Sequence, residues 1–529
     1  MKKLFTLVLA IAMIMTLAVP AMAADTTYPV TITNADQKSD HTYEAYQIFT
    51  GNLTTKTLND KEVEVLDSVE WGKGVDGTSL VAALNEISAF AAAKNAQDVA
   101  DILSKDNLNE TLVNSFRDAV AKCLTTDDTN IYTATQIETS YSFGNLAAGY
   151  YLIKDKDDSL DEEGDDTYTN FILQVVGETD VAAKAGCVTV DKVIKDGGTE
   201  KTIADYSIGD IVYFEIDGTI PDNYDRFSEF NYKFVDTMDN AFTYNKDVKV
   251  YIENAGKVNE LESKWYKVEV TNNADGSTGI VVDLGNLKSI PGHTIDKHST
   301  IRVAYTAILD ADAVPGTPEP NTVHIEYSND PHSDSWGKTI EDKVYAFTWE
   351  LDVTKIDGSK ENRTTLTGAE FVLYRELLGT ANYVQVAADG TVTGWTTEKT
   401  QASTLTSDEN GKFIVKGLEA DLYHLQETKA PDGYNLREDP ISVDITYASE
   451  LDATGVPVVK DLKIKVGLDE PYDGNKDTGI VAMDYINKPG ATLPETGGVG
   501  TTLFYVFGSI MVLAAVVLLV TKKRMGAQN

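Results

Sequence analysis

The stretch DIVYFEIDGTI at residues 210–220 alternates apolar and polar side chains, the two-residue period of a strand with one face in a core and the other in water. The pattern returns in DVKVYIEN (247–254), GIVVDLGNL (279–287), IRVAYTAIL (301–309) and HIEYSND (324–330), separated by Gly, Asn, Asp and Pro turns. It returns again in LDVTKIDG (351–358), AEFVLYRE (369–376), GKFIVKGL (411–418), DLYHLQE (421–427), ISVDITY (441–447) and IVAMDYIN (480–487). Short strands at this spacing read as β-sandwiches, one over residues 185–345 and one over 346–490. Residues 24–184 read as a third module, with strand-like YPVTITN (28–34) and TYTNFILQVVG (167–177) around helical stretches at Ser79–Leu103 and Thr111–Leu124. A chain of 529 residues is too long for one core, and three modules suit that length.

Both ends speak of export. Lys2 and Lys3, an apolar run and Ala21-Met22-Ala23 have the build of a secretory signal peptide over residues 1–23. Leu503–Val520 is uncharged and long enough to span a bilayer, and Lys522, Lys523 and Arg524 place the tail on the cytoplasmic side. The formal charge is -38. Without those five basic residues, the 83 acidic side chains face 40 basic ones, a surface that repels nucleic acid. Cys123 and Cys187 read equally well as a pair or as two small hydrophobes. The acidic run DKDDSLDEEGDD (155–166) lacks the ligand spacing of a calcium loop and reads as a solvated loop.

An enzyme finds no support. His41, His293, His298, His324, His332 and His424 form no metal-spaced cluster, and no GxSxG, HExxH or Cys/His nucleophile arrangement occurs. No cofactor and no metal is expected. A faint repeat relates GNLAAGYYLIKD (144–155) to GLEADLYHLQET (417–428), and YPVTITN to LDVTKID. In that register Ile32 stands where the last module has Lys355.

Leu493, Pro494, Glu495, Thr496 and Gly497, followed by the apolar span and basic tail in residues 491–529, resemble the LPXTG cell-wall sorting signal of Gram-positive surface proteins. That resemblance implies cleavage between Thr496 and Gly497 by a sortase, which passes Thr496 to an amine. Tethering by the span raises the local concentration of the substrate. AYQIF (45–49), VEWGKGVDG (69–77), DYSIGDIVYFEIDGTIPDNYD (205–225), FVDTMDNAFTYNKDVKVYI (234–252), YSNDP (327–331) and ETKAPDGY (427–434) widen the resemblance to the backbone subunits of sortase-assembled pili, over nearly the whole chain.

The resemblance implies tandem Ig-like modules of the CnaA and CnaB types, mostly β, polymerised head to tail on the cell surface and finally attached to peptidoglycan. Pilus-specific and housekeeping sortases are the implied partners, with identical subunits, accessory pilins and a host surface ligand. Lys184 in VAAKAGCVTVDK occupies the place of the family's acceptor lysine, although Ala182 and Ala183 replace the usual tyrosine and proline. In the last module Lys355, Glu427 and Asn487 match the family's isopeptide triad, with Phe371 and Tyr423 as candidates for a dry wall. In the middle module Lys192, Asp236 and Asn321 form a parallel set, with Lys195 and Asn329 as rivals. Glu427 and Asp236 would promote bond formation, and Ile32 implies no such bond in the first module. A wall-anchored monomeric adhesin would carry the same signal with Lys184 inert, and an accessory pilin would typically lack the acceptor.

Overall fold

The structure, a computed structural model, describes residues 27–33, 41–58, 61–104, 110–137, 140–157, 159–160, 167–182, 187–331, 333–490 and 499–525. The signal peptide, Lys184, His332, most of the acidic run and the sorting motif Leu493–Gly497 lie outside them.

The alternation in residues 210–220 becomes the strand Ile211–Thr219, which turns Val212, Phe214 and Ile216 into a core while Ile211 and Tyr213 face outward. It sits between Val190–Asp196 and Thr300–Leu309, both antiparallel, in a seven-stranded sheet. A second seven-stranded sheet covers it, with Glu319–Ser328 flanked by Asn231–Met238 and Asp342–Phe347.

Farther along, a three-stranded sheet places Trp349–Asp357 between Lys412–Leu418 and Ile480–Asn487. The first and last of these strands in sequence run parallel, with Lys355 opposite Tyr485 and Asp357 opposite Asn487. An eight-stranded sheet, centred on Glu370–Leu377 and Leu422–Lys429, packs against it. One continuous apolar core runs through both of these sandwiches, from Phe214 and Ile325 to Trp349, Phe371 and Tyr485.

Among the described residues, the N-terminal part holds two separate cores. A four-stranded sheet places Thr27–Thr33 between Ser140–Ala147 and the parallel strand Thr179–Ala182. Its first and last strands thus pair as Trp349–Asp357 and Ile480–Asn487 do, and Ile32, opposite Val181, is fully buried. The helical stretch expected over Ser79–Leu103 is divided into Gly77–Asn85 and Ala96–Leu103. Asn95 accepts from the Asp98 N–H at 3.0 Å and so starts a new helix, a cap worth about 1 kcal/mol. The second stretch is the helix Glu110–Ala121. Cys123 is buried in the helical core, and burial pushes its thiol pKa up.

The last helix, Val499–Met525, contains an apolar segment Leu503–Lys523 of mean hydropathy 2.7, none of it buried against the rest of the chain. It has the length and composition of a membrane span.

Candidate functional site

Among the described residues, Lys355 and Lys192 have side chains with no exposed surface at all. In Trp349–Asp357 the residues facing the interior are Trp349, Leu351, Val353, Lys355 and Asp357, so alternation puts the Lys355 amine where an apolar side chain would sit. The side chain is fully enclosed, with Nζ 4.4 Å from the centre of the Tyr485 ring and 6.0 Å from that of Phe371. Desolvation disfavours the charged amine and pushes its pKa down to about 8. Glu427, from the facing sheet, brings Oε1 to 3.4 Å from Nζ. The same carboxyl accepts from Asn487 Nδ2 at 2.8 Å through Oε1 and 3.1 Å through Oε2. The Arg437 N–H donates to Glu427 Oε2 at 3.0 Å, and Asn487 Nδ2 also donates to the Asn435 carbonyl at 3.1 Å. Glu427 therefore bridges the amine and the carboxamide. Tyr423 serves elsewhere: it stacks on Trp395 and donates to the Glu419 carbonyl, and Tyr485 takes the wall position beside Phe371.

The second lysine is Lys192, on the inner face of Val190–Asp196 and fully enclosed. Its Nζ contacts Asp236 Oδ2 and lies over the rings of Phe214 and Tyr305, 5.4 Å from each centre. Burial lowers the Lys192 pKa and raises that of Asp236, each pushed toward its neutral form. Asn321 is buried on Glu319–Ser328, next to the Asp236 strand, where its register partner is Met238. Its Nδ2 donates to the Tyr305 hydroxyl at 2.7 Å, and its buried Oδ1 accepts no hydrogen bond among the described residues.

The rivals lie elsewhere. Lys195, three positions on, is on the opposite face, partly exposed and 2.9 Å from Glu200. Asn329 follows the strand's end, accepts from Ser335 Oγ at 2.6 Å, and its backbone carbonyl takes the Tyr168 N–H at 2.8 Å. The two sets differ in topology. Lys355 and Asn487 sit on adjacent strands of one sheet, whereas Lys192 and Asn321 come from opposite sheets, and Trp336–Lys338 and Asp342–Phe347 still follow the Asn321 strand.

Sequence reasoning missed Tyr305 and Tyr485. The signal for Tyr305 is its place among the inward positions Ile301, Val303, Ala307 and Leu309, because a phenol in a core usually finds a hydrogen-bond partner.

The chemistry open to each set is amide exchange. A desolvated lysine is a nucleophile, an asparagine carboxamide is an acyl donor, and a carboxyl between them moves the proton. Among the described residues no group of three or more His, Cys, Asp or Glu side chains is arranged to hold a metal ion.

Three family models match the chain. The Gram-positive pilin backbone subunit 2, Cna-B-like domain matches residues 208–331, the SpaA prealbumin-like fold domain 350–456, and the LPXTG cell wall anchor motif 485–525. No match was found among curated protein sequences. Among solved structures, the fimbrial protein FimP from Actinomyces oris aligns with TM-score 0.51 at 14% identity, over 89% of this chain and 99% of that one. The T6 backbone pilin of Streptococcus pyogenes aligns with TM-score 0.48 at 14% identity, over 89% and 100%. The major pilin SpaD from Corynebacterium diphtheriae aligns with TM-score 0.45 at 16% identity, over 89% and 99%.

Proposed function

We propose that this chain, a Gram-positive backbone pilin that carries the LPXTG wall anchor and is polymerised by sortase into the shaft of a cell-surface pilus, is held by amide bonds both between and within subunits. Between subunits, Thr496 of one copy is joined to Lys184 of the next. The last copy is passed to peptidoglycan by a housekeeping sortase. Within a subunit, Lys355 is joined to Asn487 and Lys192 to Asn321.

The observation that carries the internal bonds is the full enclosure of two lysine amines, each against a carboxyl and each sharing a polar partner with an asparagine carboxamide, Glu427 in one set and Tyr305 in the other. Leaving such an amine charged costs several kcal/mol, and the unbonded state is therefore poised to react. At the last-module site the neutral Lys355 amine attacks the Asn487 side-chain carbonyl carbon. Glu427 takes the proton that Nζ loses and returns it to Nδ2, which leaves as ammonia. One C–N bond forms, one breaks, and Glu427 ends as it began. Each molecule turns over once.

The mechanical sense follows from the topology. Noncovalent interfaces in a fibre one molecule wide have finite lifetimes under load. Once subunits are joined covalently, the modules become the weak points. A Lys355–Asn487 bond ties the first strand of its sandwich to the last, which tension at the chain ends would otherwise peel apart.

The test for polymerisation is a denaturing gel of boiled wall extract, blotted for this protein, from the parent strain and a Lys184→Ala strain. A ladder of high-mass bands that collapses in the variant supports Lys184 as the acceptor. A ladder in both moves the acceptor to another lysine. A single band in the parent strain leaves Lys184 unused and returns the chain to a monomeric wall-anchored display.

A further inference from the structure

The two bond-forming sets are built from different acids. Glu427 reaches both its lysine and its asparagine. Asp236 is one methylene shorter, and it reaches Lys192 through Oδ2 with no hydrogen bond to Asn321 among the described residues. The Tyr305 hydroxyl fills the gap. It donates to Asp236 Oδ1 at 2.9 Å and accepts from Lys192 Nζ at 3.0 Å and from Asn321 Nδ2 at 2.7 Å. One donor proton and two lone pairs are all that a phenol offers, and each is committed to a member of the set. No hydroxyl does this at the other site, where the Tyr485 hydroxyl is buried with no hydrogen-bond partner among the described residues.

We propose that Tyr305 is a catalytic residue of the middle module, the relay that links Asp236 to the departing nitrogen of Asn321. The proposal rests on reading Lys192, Asp236 and Asn321 as a bond-forming set. As Lys192 Nζ bonds to the Asn321 side-chain carbonyl carbon, Asp236 takes up one proton from Nζ and in the same step releases one toward Tyr305. Tyr305 gives its hydroxyl proton to Nδ2 and recovers one from Asp236 as the old C–N bond breaks. The products are a secondary amide and one ammonia, with Asp236 and Tyr305 back in their starting states. Burial holds the Tyr305 pKa well above the ordinary phenol value, so the hydroxyl acts as a proton conduit and not as a tyrosinate base. The ring is fixed by Phe214 at 5.3 Å and Tyr244 at 5.7 Å between centres, which keeps the hydroxyl on target.

The experiment follows bond formation in the full chain by pulse labelling, with intact mass reporting ammonia loss and peptide mapping locating the Lys192–Asn321 cross-link. Tyr305→Phe is expected to slow that bond at least about tenfold. The Lys355–Asn487 bond in the same molecules should form at the parent rate, which shows that the chain has folded. A Lys192–Asn321 bond that forms at the parent rate in Tyr305→Phe overturns the relay and leaves the bond itself intact. Absence of the cross-link from the parent chain overturns both the relay and the reading beneath it. Should the Phe chain fail to fold, a fluorotyrosine placed at 305 keeps ring and hydroxyl while changing the acidity. A changed rate then supports the relay, and an unchanged rate overturns it.

Discussion

An amine with no water around it has two ways to become comfortable, losing its proton or losing its basicity in an amide, and Lys355 makes the difference measurable. In an Asn487→Ala chain the amine has no acyl donor and must titrate. Folded, it holds its proton only to about pH 8, whereas an exposed lysine holds it to about 10.4. Between those values the unfolded chain binds more protons, so the stability of the unbonded chain rises with pH across that window and is level below it. Relative to the parent, whose Lys355 would be an amide, Asn487→Ala should regain up to roughly 3 kcal/mol between pH 7.5 and 10.5. Urea midpoints of the two chains at both pH values measure this, and a gap that widens as pH rises would refute it. At pH 7 the same variant should lose the covalent constraint, worth roughly 4–5 kcal/mol for a loop of this length on the chain-entropy account. Lys355, Glu427 and Asn487 were legible because each sits in a recognisable run, LDVTKIDG, ETKAPDGY or IVAMDYIN. Tyr305 was not, since its role depends on which strand faces it across the core, and IRVAYTAIL reads only as a half-buried strand.

At the scale of elements, alternation told where strands lie but not what they pair with. The run 210–220 became a strand as read, and its inward residues were those the period selects. The separation of Lys192 and Asn321 onto opposite sheets could not be read, because two sandwiches with different strand orders share one alternation. The helical stretch before Leu103 was legible as helix but not as two helices, since apolar spacing continues across the Asn95 cap. A close approach at one strand's start was equally invisible. Gly479, with φ of +67°, precedes Ile480–Asn487, and a Cβ there would lie 2.2 Å from the Gly316 backbone nitrogen. Neither glycine can yield, because both partners are backbone. Gly479→Ala should therefore displace the start of the Asn487 strand at a cost of roughly 2–3 kcal/mol. The check is protease sensitivity after Ile480 together with the melting temperature, and a variant as resistant as the parent would show that the contact relaxes freely.

At the scale of the whole molecule, the cores decide what moves together. The middle and last sandwiches share one apolar core, while the described residues of the first module form two cores of their own, joined to the middle by contacts that include Asn223 Nδ2 to the Tyr168 carbonyl at 2.8 Å. The shared core is sealed at its polar rim by Arg375. This guanidinium is 4% exposed, stacks over Trp395 at 4.2 Å, contacts Glu419, and reaches back to Asp210 at 3.0 Å and Ser207 Oγ at 3.3 Å. Removing one member of such a network leaves carboxylates without their counter-charge, at about 3–5 kcal/mol for a fully buried pair. Asp210 and Glu419 keep about a quarter of their side-chain surface in water, so roughly 2–3 kcal/mol is expected here. Calorimetry of the parent chain should show the two C-terminal sandwiches melting as one unit and the first module, with Ile32 where the last sandwich has Lys355, melting separately and at lower temperature. Arg375→Ala should split the joint transition and leave the first module's where it was. A joint transition that merely shifts without splitting would mean that the apolar core alone couples the two sandwiches, and that Arg375 contributes stability but not cooperativity.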